Sequence, residues 1–202
     1  MTNLWDKIAG TPEEAAMYMS TYGEGVGAPT RHALGEFIND GELVLDISCG
    51  PGWNYEHFKT HGPRLGGYRG LDYSKVMIEG CRLKYPDASF DVGDIREIRE
   101  PSVSYDVVIV QDTLEHTNGY EKPLREALRV ARKRVIVTFW HLTEDDDHIN
   151  DDGDDGWGAW YSRPKWEEFL DSLDVHWLHH QIEYPEGRKR DYYILDKEVK
   201  HG

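Results

Sequence analysis

Cysteine is nearly missing from this chain: 202 residues carry two, Cys49 and Cys81. Neither has a second cysteine at metal-ligand spacing, so a disulfide framework and a thiolate zinc site are not expected, and the thiols read as reduced. Long apolar runs are missing too. No stretch approaches the roughly 18 residues of a membrane-crossing helix, and no leader pattern opens the chain, so a soluble, cytoplasmic protein without membrane contact is expected. Cations are scarce, with 23 Lys and Arg against 38 Asp and Glu and a net charge of −15. Nucleic-acid affinity depends on cations that displace counterions, and no basic stripe is present. The single cationic cluster, Arg188-Lys189-Arg190, reads as the solvated tip of a hairpin. Repeats, long linkers and a second domain are also lacking, and the length suits one domain of ordinary size.

What is present begins at Leu43 to Gly52, LVLDISCGPG. Leu43, Val44, Leu45 and Ile47 form the apolar run of a strand buried on both faces, and Asp46 sits near its carboxyl end, where open α/β sheets bind ligands. Gly50 and Gly52 let the chain turn sharply into a helix over Trp53 to Thr60 and let a ligand approach the backbone. Tyr68 to Leu71 predicts a second strand, closed by Asp72 about 20 residues after the glycines, a position suited to both hydroxyls of a ribose. Ser74 caps a helix to Lys84 with Val76, Met77, Cys81 and Leu83 as its apolar stripe. A third strand ends at FDVGDI, where Asp94 can accept from an exocyclic amine of a base and Ile95 can lie against its ring. Tyr105 to Val110, YDVVIV, reads as a central strand, followed by QDTLEH and a helix over Gly119 to Arg132 with Leu124, Ala127, Leu128 and Ala131 on one face. Lys133 to Trp140 is a fifth strand. A closing hairpin is expected from Val175 to Tyr184 and Asp191 to Asp196, turning at Glu186-Gly187.

In that order, LVLDISCGPG, GLDYS, FDVGDI and YDVVIVQDTLEH resemble the motif series of class I S-adenosylmethionine-dependent methyltransferases, over about residues 30 to 196. The resemblance implies an α/β fold with a Rossmann-like seven-stranded sheet, mostly parallel with an antiparallel last strand, and helices on both faces. It implies S-adenosylmethionine as cofactor. Asp46, Gly50 and Gly52 would surround its methionine part, Asp72 would hold its ribose, Asp94 and Ile95 its adenine, Gln111 would lie beside the sulfonium, and Ser48 and Tyr73 would be further cofactor contacts. Ser48 stands where the family usually has glycine, a variant that fits if the residue keeps negative φ. A dehydrogenase also ends its second strand with an acid, but DISCGPG lacks the full G-x-G-x-x-G spacing. The Asn/Asp-Pro-Pro-Tyr sequence of amino-methylating DNA enzymes is absent, with Gln111-Asp112-Thr113-Leu114 in its place. The expected acceptor is therefore a small molecule, methylated at oxygen or nitrogen. An inactive cofactor-binding partner subunit is the alternative from another class, and neither the acceptor nor the oligomeric state is legible.

For an oxygen acceptor a base must remove a proton, and His116 and His141 are the candidates, just beyond the carboxyl ends of strands four and five. A metal-assisted variant uses Asp112, Glu115 and His116, spaced D-x-x-E-H, completed by His141 or His148. Residues 1–40 read as an N-terminal helical cap, 41–140 as the cofactor-binding half, and 141–202 as an acidic lid loop, a helix and the closing hairpin. The cap helix starts at Thr11-Pro12-Glu13-Glu14 and continues through Ala16, Met17 and Tyr18. The resemblance places Tyr18 or Tyr22 near the sulfonium, where an aromatic face attracts positive charge. Glu144 to Gly158, EDDDHINDDGDDGWG, reads as a solvated loop or a substrate lid with Trp157, Trp160 and Tyr161 packing on an acceptor. Its acidity would suit a cationic acceptor. Ser162 and Pro164 start a helix to Leu173 with Trp166, Phe169 and Leu170 facing the core.

Overall fold

A computed structural model describes residues 10–15, 28–151, 157–184, 187 and 189–197. The chain divides into two compact units, residues 1–99 and 100–202.

The first unit opens with a helical turn at residues 12–15. Thr11 Oγ1 accepts from the Glu14 N–H at 3.1 Å while Glu14 Oε2 accepts from the Thr11 N–H at 3.1 Å, the reciprocal capping box expected of that sequence. The predicted continuation through Tyr18, and Tyr22, lie outside the described residues. There follow α1 (Ala28–Gly35), β1 (Leu43–Ile47), α2 (Trp53–His61), β2 (Gly67–Asp72), α3 (Lys75–Lys84) and β3 (Ser89–Val92). β1 pairs parallel with β2, and β2 with β3. Ser74 caps α3 by accepting from the Met77 N–H. The buried stripe of α3 differs from the expected one, since Met77, Ile78 and Cys81 are buried while Leu83 is 63% exposed. The helix therefore turns its 77, 78, 81 face inward, the i, i+1, i+4 pattern of an amphipathic helix.

Beneath the turn after β1, Cys49, Ile78, Cys81, Tyr85 and Phe90 form one buried cluster, and both cysteines are free thiols. Gly70 belongs to it because no side chain fits: a Cβ there would lie 2.6 Å from Phe90 Cδ1 and 2.7 Å from Cys49 Sγ. Gly70→Ala is expected to lower stability by about 1–3 kcal/mol through overpacking. Urea unfolding would read this as a lower midpoint, and an unchanged midpoint would refute the close packing.

The second unit contains β4 (Tyr105–Gln111), a 3₁₀ turn (Leu114–His116), α4 (Glu121–Val130), β5 (Ala131–Phe139), β6 (Leu142–Thr143), β7 (His148–Asp151), β8 (Trp157–Ser162), α5 (Arg163–Asp171), β9 (His176–Glu183) and β10 (Lys189–Asp196). Val107 to Val110 are fully buried, as a central strand requires. β4 and β5 are parallel, and β10 runs antiparallel to both β5 and β9. Seven strands follow the sheet order β3-β2-β1-β4-β5-β10-β9. This is the mostly parallel Rossmann-like sheet expected, with an antiparallel strand contributed by the closing hairpin. In α5, Trp166 and Leu170 are buried.

Two expectations fail in this unit. The acidic stretch is no plain loop, because β6, β8 and β7 make a separate three-stranded sheet. Three of its carboxylates have cationic partners: Glu144 pairs with Arg163, Asp146 and Asp147 with Lys165, and Asp147 also accepts from the Ser162 N–H at 2.6 Å. Relief of like-charge repulsion together with the β-prone aromatics of WGAWYS favours strands there. Second, of the cationic cluster, Arg188 lies outside the described residues, Lys189 is exposed, and Arg190 is not at a solvated hairpin tip. Lys189 and Arg190 open β10, and Arg190 pairs with Asp112. No helix among the described residues is long and apolar enough to cross a membrane.

Candidate active site

In the first unit the site is built on the turn that leaves β1. Ser48, Gly50 and Gly52 all take positive φ, at 58°, 51° and 77°. This coils the chain tightly before α2, and the Gly52 N–H reaches the Cys49 carbonyl at 3.0 Å. The turn is tied to the end of β2: the Cys49 N–H donates to the Leu71 carbonyl and the Gly50 N–H donates to Asp72 Oδ2 at 2.8 Å. Asp72 Oδ1 accepts from the Ser74 N–H at 2.8 Å. Asp72 is thus a buried carboxylate locked between the glycine turn and the cap of α3. A Cβ on Gly50 would meet nothing within 4 Å, so the turn borders open space beside Asp72. Tyr73, 60% exposed, follows directly.

Asp46 is placed differently from Asp72. It is fully buried, and its Oδ2 accepts from Tyr68 OH at 2.5 Å and Asn54 Nδ2 at 3.1 Å. Burial pushes its pKa up to about 7, against the opposing effect of those two donors. The arrangement makes Asp46 a brace under the turn, joining β1 to α2 and β2. Asp94 is engaged by Arg96, whose Nε and Nη2 and backbone N–H all donate to its carboxylate, and Ile95 is buried beside it.

Ser48 corrects the sequence reading, which assumed negative φ. A non-glycine residue in the left-handed region bears about 1–2 kcal/mol of backbone strain. Glycine would relieve it but would gain freedom in the unfolded chain. Ser48→Gly is therefore expected to raise stability by up to about 1 kcal/mol, seen as a higher thermal midpoint; a lower midpoint would contradict a strained turn.

In the second unit the carboxyl ends of β4 and β5 carry the other candidates. Gln111 is half-buried at the end of β4, and Asp112 follows it in the left-handed region at φ 48°. The Asp112 N–H donates to the Thr138 carbonyl and to Thr138 Oγ1, Thr138 Oγ1 donates to Asp112 Oδ1 at 2.8 Å, and Arg190 donates to Asp112 Oδ2. Glu115 is buried: its Oε1 accepts from the Trp140 N–H at 2.9 Å, and its Oε2 is buried with no hydrogen-bond partner. Burial, and next the Asp112 charge, push its pKa up to about 8. His116 and His141 are exposed. The His116 ring lies 6.0 Å from that of Trp140, and the His141 ring lies 6.2 Å from that of Trp160, which stacks on His148 at 5.1 Å.

The proposed metal set does not assemble. Asp112 is bound by Arg190 and Thr138, and Glu115 turns to the Trp140 backbone. Among the described residues no group of three acids, histidines or cysteines is disposed to hold a metal ion.

Four contributors escaped the sequence reading: Tyr68, Asn54, Thr138 and Arg190. Tyr68 had a signal, since it lies two residues before Gly70, the register partner of Asp46, and so on the same sheet face. Arg190 had none, because its pairing with Asp112 spans 78 positions.

Residues 45–139 match a family model described as a methyltransferase domain. Among curated proteins, the chain is 29% identical over 92 residues to a probable S-adenosylmethionine-dependent methyltransferase of Mycolicibacterium smegmatis, covering 46% of this chain and 35% of that protein. It is 27% identical over 108 residues to a malonyl-[acyl-carrier protein] O-methyltransferase of Erwinia billingiae, covering 54% and 42%. The chain thus spans well under half the length of these relatives. Among solved structures, the fold is shared with a 1,6-didemethyltoxoflavin N1-methyltransferase of Burkholderia thailandensis, crystallised with S-adenosylhomocysteine, at TM-score 0.69 and 13% identity over 96% of this chain and 86% of that one.

Proposed function

We propose that this chain is a class I S-adenosylmethionine-dependent methyltransferase, a reading supported by the methyltransferase-domain match over residues 45–139 and by the sheet order, and that it transfers the methyl group of that cofactor to an oxygen or nitrogen of a small molecule. The observation that carries this reading is Asp72, a buried acid at the tip of β2 whose two oxygens fix the Gly50 and Ser74 amides. In that position it accepts hydrogen bonds from the ribose hydroxyls while the same carboxylate sets the shape of the glycine turn. When bound, the cofactor supplies an electrophilic methyl on sulfur. The protein's part is to align donor and acceptor, a contribution on the order of 7–11 kcal/mol in favourable cases. Gly50 leaves room for the methionine portion, Tyr73, Asp94 and Ile95 flank the adenosine, and Asp46 braces the turn from beneath. Gln111, His116 and His141, at the carboxyl ends of β4 and β5, serve the acceptor side, the histidines as bases where a hydroxyl is methylated.

A small acceptor is supported by the net charge of −15 and by the ion pairing of most described cations. It is also consistent with the acceptor named for one structural neighbour, 1,6-didemethyltoxoflavin, whereas the malonyl-[acyl-carrier protein] O-methyltransferase is named for an acceptor carried on a protein. Incubation with S-adenosylmethionine labelled in the methyl group and a panel of small hydroxy, amino and carboxylic acids tests the proposal. Transfer of label to one class is expected, and binding of cofactor with no transfer across the panel would favour the inactive partner subunit.

A further inference from the structure

Two arginines stand at the sheet's carboxyl edge in the second unit, and they are used differently. Arg163 is engaged at all three nitrogens: its Nε donates to Glu144 at 2.7 Å, Nη1 to Tyr193 OH at 3.1 Å with His179 Nε2 also 3.1 Å away, and Nη2 pairs with Asp191 at 3.0 Å. Arg190 is not. Its Nη1 donates to Asp112, and among the described residues its guanidinium makes no other hydrogen bond. Its side chain is 18% exposed, and a guanidinium presents five N–H donors in a fixed fork. Three features hold this fork in position. Asp112 sits in the left-handed region just after β4, with its second oxygen and its backbone N–H fixed by Thr138. The register of β10 against β5, with Asp191 opposite Phe139, sets Arg190 at the level of Trp140, which is 53% exposed. Glu115, which faces both Asp112 and Arg190, keeps the Trp140 backbone at that level.

We infer that Arg190, positioned by Asp112, is the recognition group for a carboxylate carried by the acceptor, with the Trp140 ring as an apolar flank. The inference rests on the methyltransferase reading and names the acceptor class within it. A half-buried guanidinium with unfilled parallel donors is matched by a planar, bidentate anion. The net charge of −15 repels such an anion from a distance, but repulsion between exposed charges is screened beyond about 8 Å at physiological salt. Direct contact with Arg190 therefore decides binding.

Benzoate and its neutral isostere benzamide are suitable probes, titrated by calorimetry or ligand-observed NMR into the full chain with and without S-adenosylhomocysteine. Benzoate is expected to bind at roughly millimolar concentration and benzamide at least tenfold more weakly. Arg190→Met should abolish that preference and Arg190→Lys should reduce it, with thermal midpoints measured to show that the variants fold. S-adenosylhomocysteine affinity should change less than threefold in either. Equal binding of the two probes, or a preference that survives Arg190→Met, would overturn the assignment. A tenfold loss of S-adenosylhomocysteine affinity in Arg190→Met would instead assign the guanidinium to the carboxylate of the cofactor and overturn the acceptor role. Failure of S-adenosylhomocysteine to bind the unaltered protein strikes at the methyltransferase reading, while the benzoate preference is still scored on the ligand-free chain.

Discussion

Asp72→Ala is expected to weaken S-adenosylhomocysteine binding by at least tenfold, about 1.4 kcal/mol, and to lower the unfolding free energy by about 2–4 kcal/mol. Both effects come from one carboxylate. On the binding side, loss of two charge-assisted acceptors for ribose hydroxyls removes roughly 1.5–3 kcal/mol each before water compensates. On the stability side, the Gly50 and Ser74 N–H groups lose their acceptor in a buried setting, at about 1–3 kcal/mol for each group left unsatisfied. Asp72→Asn separates the two. Its single amide oxygen can still satisfy one backbone N–H, while its NH₂ opposes the other, so stability should fall less than in the alanine variant and binding should still drop. Calorimetric titration gives the affinity and chemical denaturation the stability. Full cofactor affinity in Asp72→Asn would remove Asp72 from the ribose site and leave it as a purely structural brace.

Glu115→Gln is expected to stabilise the protein by about 2–4 kcal/mol at pH 9 and far less at pH 5.5. The sign follows from linkage. The folded-state pKa of Glu115 is raised to about 8, above its unfolded value, so the folded chain binds the proton more tightly than the unfolded one. That stabilisation is fully present below the unfolded pKa near 4.5 and is lost as pH rises through about 8. Asp46, raised to about 7, acts in the same direction slightly earlier. The wild-type protein should therefore lose stability steadily between pH 5 and 9. Glutamine keeps the acceptor for the Trp140 N–H and cannot ionise, so the upper part of that decline should flatten. Thermal midpoints of the two proteins across this range check it; parallel curves would mean that Glu115 ionises normally.

Most of the sheet was legible because its strands are locally encoded. YDVVIV could hardly be anything but a buried strand, and the glycine turn and Ser74 cap announce themselves within a few residues. The family resemblance came from the order of such local pieces. What escaped depends on contacts between distant segments or on backbone angles. Nothing in DISCGPG reveals that Ser48 would take φ 58°. The acidic run suggested a loop because its charges were read without their partners, Arg163 and Lys165, which lie in α5. Arg190 was assigned to a turn because the hairpin's boundary was placed two residues late, at Asp191 in place of Lys189. The D-x-x-E-H spacing suggested one ligand set, yet the chain turns Asp112 toward Arg190 and Glu115 toward Trp140.

The most direct test of the central claim is a calorimetric titration of the unaltered chain with S-adenosylhomocysteine, beside an identical titration with nicotinamide adenine dinucleotide. Micromolar, one-to-one binding of the former and none of the latter is the predicted result. Absence of S-adenosylhomocysteine binding, or preference for the dinucleotide, would contradict the account at its base.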